Sequence, residues 1–187
     1  MKEKDLSINR TNIPGVGLVL KNHPVVNAIG DINELNCHIN LTFQSQLPNS
    51  IYLNNLFYIK EDLNLIKEQL SQPATDKRKV EWKMIANLKD AIIEMEKITC
   101  NKFEDDMPIW PAQIYLTRAV CQRAERSVIA WYDYDEKIKA KASCFMPYQE
   151  EEQQDNRFTY VTSYLDTLGN YLLQLARYVK IVAGTGK

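Results

Sequence analysis

The most informative stretch of the chain is residues 116–126, LTRAVCQRAER, which carry three arginines and one glutamate. Successive residues of an α-helix are rotated by about 100°, so a helix through this stretch gathers apolar residues on one face. That face consists of Leu116, Val120, Ala124, Val128 and Trp131. Arg118, Gln122 and Glu125 fall together on nearly the opposite side, among large apolar neighbours. This mixture of fixed charge and apolar bulk indicates a helix that meets another subunit or a ligand.

Helical periodicity continues outward from this stretch in both directions. Apolar residues recurring at three and four positions predict helices over about 24–46, 51–70, 79–99 and 157–183, and the helix containing 116–126 reaches about 133 or beyond. Asn22 is expected to cap the first helix, and Pro24 suits its first turn. Because short connections favour antiparallel neighbours, the sequence predicts an all-α fold, a five-helix up-down bundle.

The residues between these helices carry few strand signals. Residues 1–20 are predicted to be irregular, with 15–20 able to form a short extended piece. Residues 101–111 are predicted to form an irregular link, and 143–156 a polar loop. A chain of 187 residues suits one domain with a sizeable core, so a single helical-bundle domain over 1–187 is expected.

Composition excludes several classes of protein. The net charge of −1 gives no global basic field that would attract nucleic acid. The highly charged start, 1–5, does not resemble a secretory signal, and no apolar run approaches the roughly 20 residues that span a bilayer. With four widely spaced cysteines and only two histidines, reduced thiols are favoured over a zinc site, which predicts a cytoplasmic protein.

Three blocks of sequence, in order, resemble one known family. Residues 21–36, KNHPVVNAIGDINELN, are similar to the pattern K-x-D-P-x-V-x-A-x-G-x-V-D-E-L-N. Residues 118–126 are similar to A-R-x-x-x-R-R-A-E-R, and 164–178 to Y-L-N-R-L-S-D-Y-L-F-x-L-A-R-Y. These patterns are those of the ATP:corrinoid adenosyltransferases of the propanediol-utilisation type.

The resemblance implies a fold, a reaction and a set of site residues. The family is a five-helix bundle that assembles as a homotrimer, with active sites between subunits. It transfers the 5′-deoxyadenosyl group of ATP to the cobalt of reduced cobalamin and releases triphosphate, so ATP, Mg²⁺ and cobalamin are implied. The matching positions are Arg118 and Glu125 as catalytic residues, Lys21, Arg118, Gln122 and Asp166 as nucleotide-binding residues, and Asn33 and Trp110 as corrinoid-binding residues.

The sequence departs from the family where the family handles phosphate. A glycine-rich segment that wraps the triphosphate should fall near 3–11, where this chain has no glycine. Gln122 replaces an arginine, which removes a permanent charge and a guanidinium fork. Asn33 replaces an aspartate and Asp166 an asparagine, and the segment that shapes the corrinoid pocket is shortened to 108–112. These changes together predict weaker binding of a polyanion.

Each candidate residue also has a structural interpretation. Arg118 and Glu125 fit either phosphate or ribose contact or an inter-subunit ion-pair network. Lys21 fits either ATP contact or simple solvation, whereas Arg123 points away from Arg118 and is expected to be structural. Packing is favoured for Glu34, Leu35, Asn36, Tyr164, Tyr171 and Tyr178, and an interface position for His38.

Three functions remain open at this point. The first is an active adenosyltransferase with a diverged nucleotide site. The second is a homologue that keeps the trimer, has lost catalysis and binds a ligand or another protein. The third is a plain helical interaction module that shares only the fold.

Overall fold

The computed structural model describes residues 8–45, 51–71, 79–99, 109–143 and 156–184, with side chains described over 112–138 and 158–182 in the last two segments. Five helices make up most of it, which confirms the all-α bundle. They are α1 (Pro24–Gln44), α2 (Ile51–Ser71), α3 (Trp82–Thr99), α4 (Ile109–Ser143) and α5 (Asn156–Gly184). They follow a short hairpin of β1 (Arg10–Ile13) and β2 (Gly17–Leu20).

Contacts between the helices give their order. Helix α4 packs between α1 and α5, α1 also packs on α2, and α3 packs on α5. Asn36 of α1 bonds to Asn64 of α2 and Asn40 to Lys60, so these two helices run in opposite directions. Within the described segments, no helix combines the length and apolarity needed to cross a bilayer.

Helix α5 supplies the centre of the core. Every residue predicted to line its inner face is buried: Val161, Tyr164, Leu165, Leu168, Leu172, Leu175, Ala176 and Val179. The hydroxyl of Tyr164 donates to Asp62 Oδ2 at 2.8 Å, and that of Tyr171 donates to the Tyr52 carbonyl, both on α2. The two large side chains can be buried because their polar ends are satisfied.

Helix α4 buries Val120, Ala124 and Val128 as predicted, but the edge of its buried face differs from the sequence prediction. Leu116, predicted to be in the core, is 50% exposed, whereas Thr117 and Cys121 are fully buried. Because α4 is covered by helices on two sides, its buried surface is wider than the apolar stripe. The Thr117 hydroxyl donates to the Gln113 carbonyl and also meets the Thr42 hydroxyl at 3.0 Å, so a polar residue is accommodated there.

Two further core predictions were wrong, both at large aromatic residues. In the sequence, Phe43 of α1 and Phe57 of α2 recur in phase with the apolar residues of their helices, which predicts that they face inward, yet both are exposed. The buried position on α1 is the neighbouring Thr42, whose hydroxyl also donates to the His38 carbonyl. Near the C-terminal end of α1, the buried position therefore shifts by one residue, toward α4.

The boundaries of the first helix and of α4 also differ from the predictions. Residues 10–20, expected to be irregular apart from 15–20, form an antiparallel hairpin whose turn uses Gly15 (φ 76°) and Gly17 (φ 95°). His23, and not Asn22, caps α1, because its Nδ1 accepts from the Val25 amide at 3.3 Å. The predicted link 101–111 ends earlier, since α4 begins at Ile109 and Pro111 is tolerated in a first turn. Residues 144–155 of the predicted polar loop lie outside the described residues.

Candidate functional site

The side of α4 that faces α5 carries the main candidate residues. Arg118, Gln122 and Glu125 are three and four residues apart and therefore lie on one side of the helix, where all three are half-buried. Asp166 of α5 is exposed, and it lies close enough to Glu125 and to Cys121 for its charge to raise the pKa of both groups. We call these four residues, Arg118, Gln122, Glu125 and Asp166, the α4–α5 site.

The two carboxylates of the α4–α5 site interact electrostatically with each other and with the nearby Cys121 thiol. Burial raises the pKa of the Glu125 carboxyl, Asp166 raises it further, and Arg126 opposes the change. Burial also raises the pKa of the Cys121 thiol, with Glu125 adding to the shift and Arg118 opposing it. In the packed contact between α4 and α5, which we call the α4–α5 seam, the Cys121 thiol donates to the Leu165 carbonyl at 3.4 Å. Glu125 and Asp166 therefore place negative charge close to Arg118.

Arg118 has unused hydrogen-bonding capacity. Its Nε is buried and has no hydrogen-bond partner among the residues that the structure describes. A guanidinium presents five donors in a fixed fork that matches phosphate and carboxylate oxygens. The arrangement can therefore hold an oxyanion at Arg118 while the neighbouring carboxylates accept hydroxyl or amino donors.

The opposite side of α4 holds a separate ion-pair network with α1. Arg123 Nε lies 3.3 Å from Asp31 Oδ1, and another guanidinium nitrogen of Arg123 pairs with Glu34. Ser127 donates to the second oxygen of Asp31. These contacts give Arg123 and Glu34 the packing role expected from their positions, but within one chain.

The structure does not bring all the predicted site residues together within one chain. Lys21 is exposed, two residues before His23, whose ring contacts Trp131 and Tyr134 near the far end of α4. Since a helix rises about 1.5 Å per residue, Arg118 is roughly 20 Å from that level. Asn33 is exposed on α1. Trp110 is in the first turn of α4, and its side chain lies outside the described residues.

Sequence reasoning missed two features of this region. The Cys121 thiol was treated only as a reduced cysteine, although its position three residues from Arg118 and four from Glu125 places it in their midst. The Ser127–Asp31 bond joins residues 96 apart, so no local pattern could reveal it. In the described part of the chain, no group of three or more histidine, cysteine, aspartate or glutamate side chains could hold a metal ion.

Burial of Cys121 leads to a prediction about thiol reactivity. Only the thiolate reacts, so a buried thiol with a raised pKa should resist alkylation in the folded protein. We expect iodoacetamide at pH 8 to modify Cys121 at least about tenfold more slowly in native protein than in urea. Peptide mass spectrometry measures both rates, with the exposed Cys37 as the internal comparison. Equal rates for Cys121 in the two conditions would contradict the packed α4–α5 seam.

The raised pKa of Glu125 predicts how stability depends on pH. In the folded chain this carboxyl binds its proton more tightly than in the unfolded chain, so it lowers stability as pH rises from the ordinary glutamate pKa of 4.5. The Glu125→Gln variant should be more stable than the parent at pH 7.5, by less than about 1 kcal/mol because solvent screens the site. The difference should disappear near pH 4. Urea unfolding at both pH values measures it, and Glu68→Gln on the exposed face of α2 is the control.

Comparison with solved structures identifies the same fold in characterised enzymes. A phenylalanine-to-alanine variant of the PduO-type ATP:corrinoid adenosyltransferase from Lactobacillus reuteri, complexed with cobalamin and ATP, has a TM-score of 0.72 and 22% identity, covering 98% of this chain and 94% of that one. An arginine-to-lysine variant complexed with ATP gives the same score and identity, covering 98% and 96%. A search of curated protein sequences gave no match.

The sequence model of one family covers nearly the whole chain. The cobalamin adenosyltransferase model matches residues 8–179, which include the hairpin and most of the five-helix bundle. The match contains all three blocks that carry the resemblance. This chain therefore belongs to the cobalamin adenosyltransferase family.

Proposed function

We propose that this protein is a corrinoid adenosyltransferase with a weakened triphosphate site. The observation that carries the proposal is the α4–α5 site on this family's fold, with a half-buried arginine whose Nε has no partner among the described residues. An arginine fork in a partly desolvated position is suited to phosphate oxygens. The structural relatives from Lactobacillus reuteri are complexed with ATP, and two of them also with cobalamin.

The reaction requires positioning more than acid–base chemistry. The reduced cobalt attacks the 5′-carbon of ATP, a cobalt–carbon bond forms, the 5′-carbon–oxygen bond breaks, and triphosphate leaves with the electron pair. In this proposal Arg118 holds the phosphate end and Glu125 orients a neighbouring group, so that the 5′-carbon is presented to the cobalt. Asn33 and Trp110 contribute to the corrinoid side, and Mg²⁺ enters with the triphosphate.

The distance between Lys21 and Arg118 supports a site shared by two copies. A lysine side chain is far shorter than the roughly 20 Å that separates their levels along α4. Within one chain an extended ATP would have to span this separation, whereas a Lys21 supplied by a neighbouring subunit could meet the same phosphates as Arg118. A closed ring of three subunits repeats this pairing at each boundary, which agrees with a homotrimer.

Mixing subunits of two weakened variants, each lacking one of the two cations, tests this shared site. If Lys21→Ala and Arg118→Ala subunits are co-refolded in equal amounts, about one quarter of the boundaries will pair an intact Lys21 with an intact Arg118. At subsaturating ATP we therefore expect the mixture to regain about a quarter of parental turnover, well above the residual activity of either variant alone. Light scattering reports the assembly, and co-refolding each variant with itself is the control. A trimeric mixture that regains no activity would show that the site lies elsewhere.

The activity itself is tested by the absorbance change on forming adenosylcobalamin from cob(I)alamin and MgATP. We expect product, with a high KM for ATP, since Gln122 supplies no charge and Asp166 repels phosphate. No product at high protein concentration would rule out the transferase.

A second candidate function is a homologue that binds ligand without turnover. The coupling between Glu125 and Asp166 favours it, because two carboxylates beside one arginine leave the α4–α5 site with little attraction for a triphosphate. Calorimetry separates the two functions. Cobalamin binding without measurable ATP binding would support the binding protein, whereas ATP binding followed by turnover would support the enzyme.

A further inference from the structure

A concave surface lies between α3 and α5, and it is lined by residues of these two helices. It encloses about 410 Å³, within the range of small-molecule sites. Trp82, Lys89 and Ile92 line it from α3, and Asp166, Asn170 and Leu173 line it from α5. We call this surface the α3–α5 groove. Asp166 is the one residue that it shares with the α4–α5 site.

Opposite charges face each other across this groove. Gln174 Nε2 donates to Glu96 Oε1 at 2.9 Å, which fixes the register of the two helices. Both α3 and α5 run antiparallel to α2, so they run in the same direction, and Lys89 is therefore level with Thr167, next to Asp166. Neither Lys89 nor Asp166 forms an ion pair with any described residue, and each lines the groove. Among the described residues, a cation and an anion without ion-pair partners thus stand on opposite walls of the groove.

The cation is held in place by an aromatic ring. Lys89 Nζ lies 4.7 Å from the centroid of the Trp82 ring, a cation–π contact. Trp82 is itself exposed, so this contact orients the ammonium group without removing it from the groove. Lys89 is exposed as well, so the contact favours one position of the ammonium group and leaves it accessible to an anion.

Of the two carboxylates in the groove, Asp166 is the one available to a ligand. Glu96 already accepts the amide hydrogen of Gln174. Because a carboxylate only accepts, this bond fixes the amide orientation and leaves Gln174 Oε1 as an acceptor. Gln174 is only 8% exposed, and this oxygen is buried without a hydrogen-bond partner in the described part of the chain. The groove therefore offers one oriented ammonium, one free carboxylate and an unused acceptor.

We propose that the α3–α5 groove binds a small zwitterion of the amino-acid class. Its carboxylate would pair with Lys89, its ammonium group would pair with Asp166, and an apolar side chain would lie against Ile92 and Leu173. Both charges of such a ligand are matched, whereas a molecule with one charge leaves a wall group unpaired. The inference does not rest on the adenosyltransferase activity.

Binding is tested by titrating the whole protein, without nucleotide or corrinoid, with L-leucine, L-methionine and L-phenylalanine. Calorimetry and the fluorescence of Trp82, assigned with Trp82→Phe, report the result. We expect saturable binding of at least one of the three below about 10 mM. The Lys89→Gln variant should bind roughly 10- to 100-fold more weakly, the usual loss for one charge-assisted hydrogen bond. Lys83→Gln, an exposed lysine of α3 outside the groove, is the matched control and should bind as the parent does.

Three results would overturn the proposal. One is no saturable binding of any of the three amino acids by folded protein. Another is equal binding by the Lys89→Gln and Lys83→Gln variants. The third is binding of isovalerate or isoamylamine as tight as that of L-leucine, since each carries only one of its charges. Asp166 belongs to both proposed sites, but these titrations contain no nucleotide, so failure of ATP binding changes none of the readouts and the two proposals fail separately.

Discussion

The Arg118→Ala variant is expected to bind MgATP roughly 10- to 100-fold more weakly than the parent protein. A hydrogen bond to a charged group contributes about 1.5–3 kcal/mol, and Arg118 is the guanidinium that remains where the family has two. With Gln122 at the second position, the guanidinium that the family places there is missing. Calorimetry at fixed ionic strength measures the change. Arg118→Lys, which keeps the charge but loses the fork, should lie between the two.

The opposite side of the same helix provides the matched control. Arg123→Ala removes the ion pairs to Asp31 and Glu34, so it should lower the melting temperature while ATP affinity stays within about twofold. Equal losses of affinity in the Arg118→Ala and Arg123→Ala variants would indicate a general effect on the helix. An unchanged affinity in the Arg118→Ala variant would show that nucleotide binds elsewhere.

The Leu168→Ala variant is expected to lose about 2–5 kcal/mol of unfolding free energy. Leu168 is completely buried on α5, the helix that contacts α2, α3 and α4, so its truncation leaves a cavity that neighbours can fill only in part. Urea unfolding at several protein concentrations separates this loss from changes in assembly.

Leu116→Ala is the control for this core prediction. The chemical change is the same, but Leu116 is 50% exposed, so the loss should stay below about 1 kcal/mol. If Leu116→Ala were as costly as Leu168→Ala in monomeric protein, α4 would be oriented as its apolar stripe alone suggests.

The five helices could be predicted because most of their apolar faces are unambiguous. On α5 the inward residues repeat without interruption, and all of them are buried. The same reasoning was only partly right for α4, where Thr117 and Cys121 are polar or small and do not count toward an apolar stripe. Their burial depends on partners, Thr42 and the Leu165 carbonyl, that are distant in sequence.

The extended piece predicted over 15–20 contains β2, but its partner strand β1 could not be predicted because it lacks a regular alternation of apolar and polar residues. Residues 10–13 read RTNI and show no apolar face. The turn depends on Gly15 and Gly17 at positive φ, and the Val16 amide donates to the Ile13 carbonyl at 3.1 Å. Two glycines near a turn indicate flexibility, but they do not specify which flanking residues pair.

The candidate site shows what sequence resemblance supplies and what it omits. Arg118, Gln122 and Glu125 could be grouped from their spacing on one helix. The position of Asp166 came from the resemblance, but its effect on Glu125, 41 residues away, depends on how α4 and α5 pack. Lys21 was grouped with Arg118 by resemblance alone, and the structure puts the two at different levels of one chain.

The two arginines on opposite sides of α4 have a consequence for how this protein could evolve. Arg123 forms the ion pairs that hold α4 to α1, whereas Arg118 takes part in neither of them. Substitutions such as Gln122→Arg or Asp166→Asn can therefore alter affinity for anions without disturbing assembly. If the α4–α5 site binds nucleotide as proposed, single replacements there would change affinity while the ion pairs between α4 and α1 stay in place.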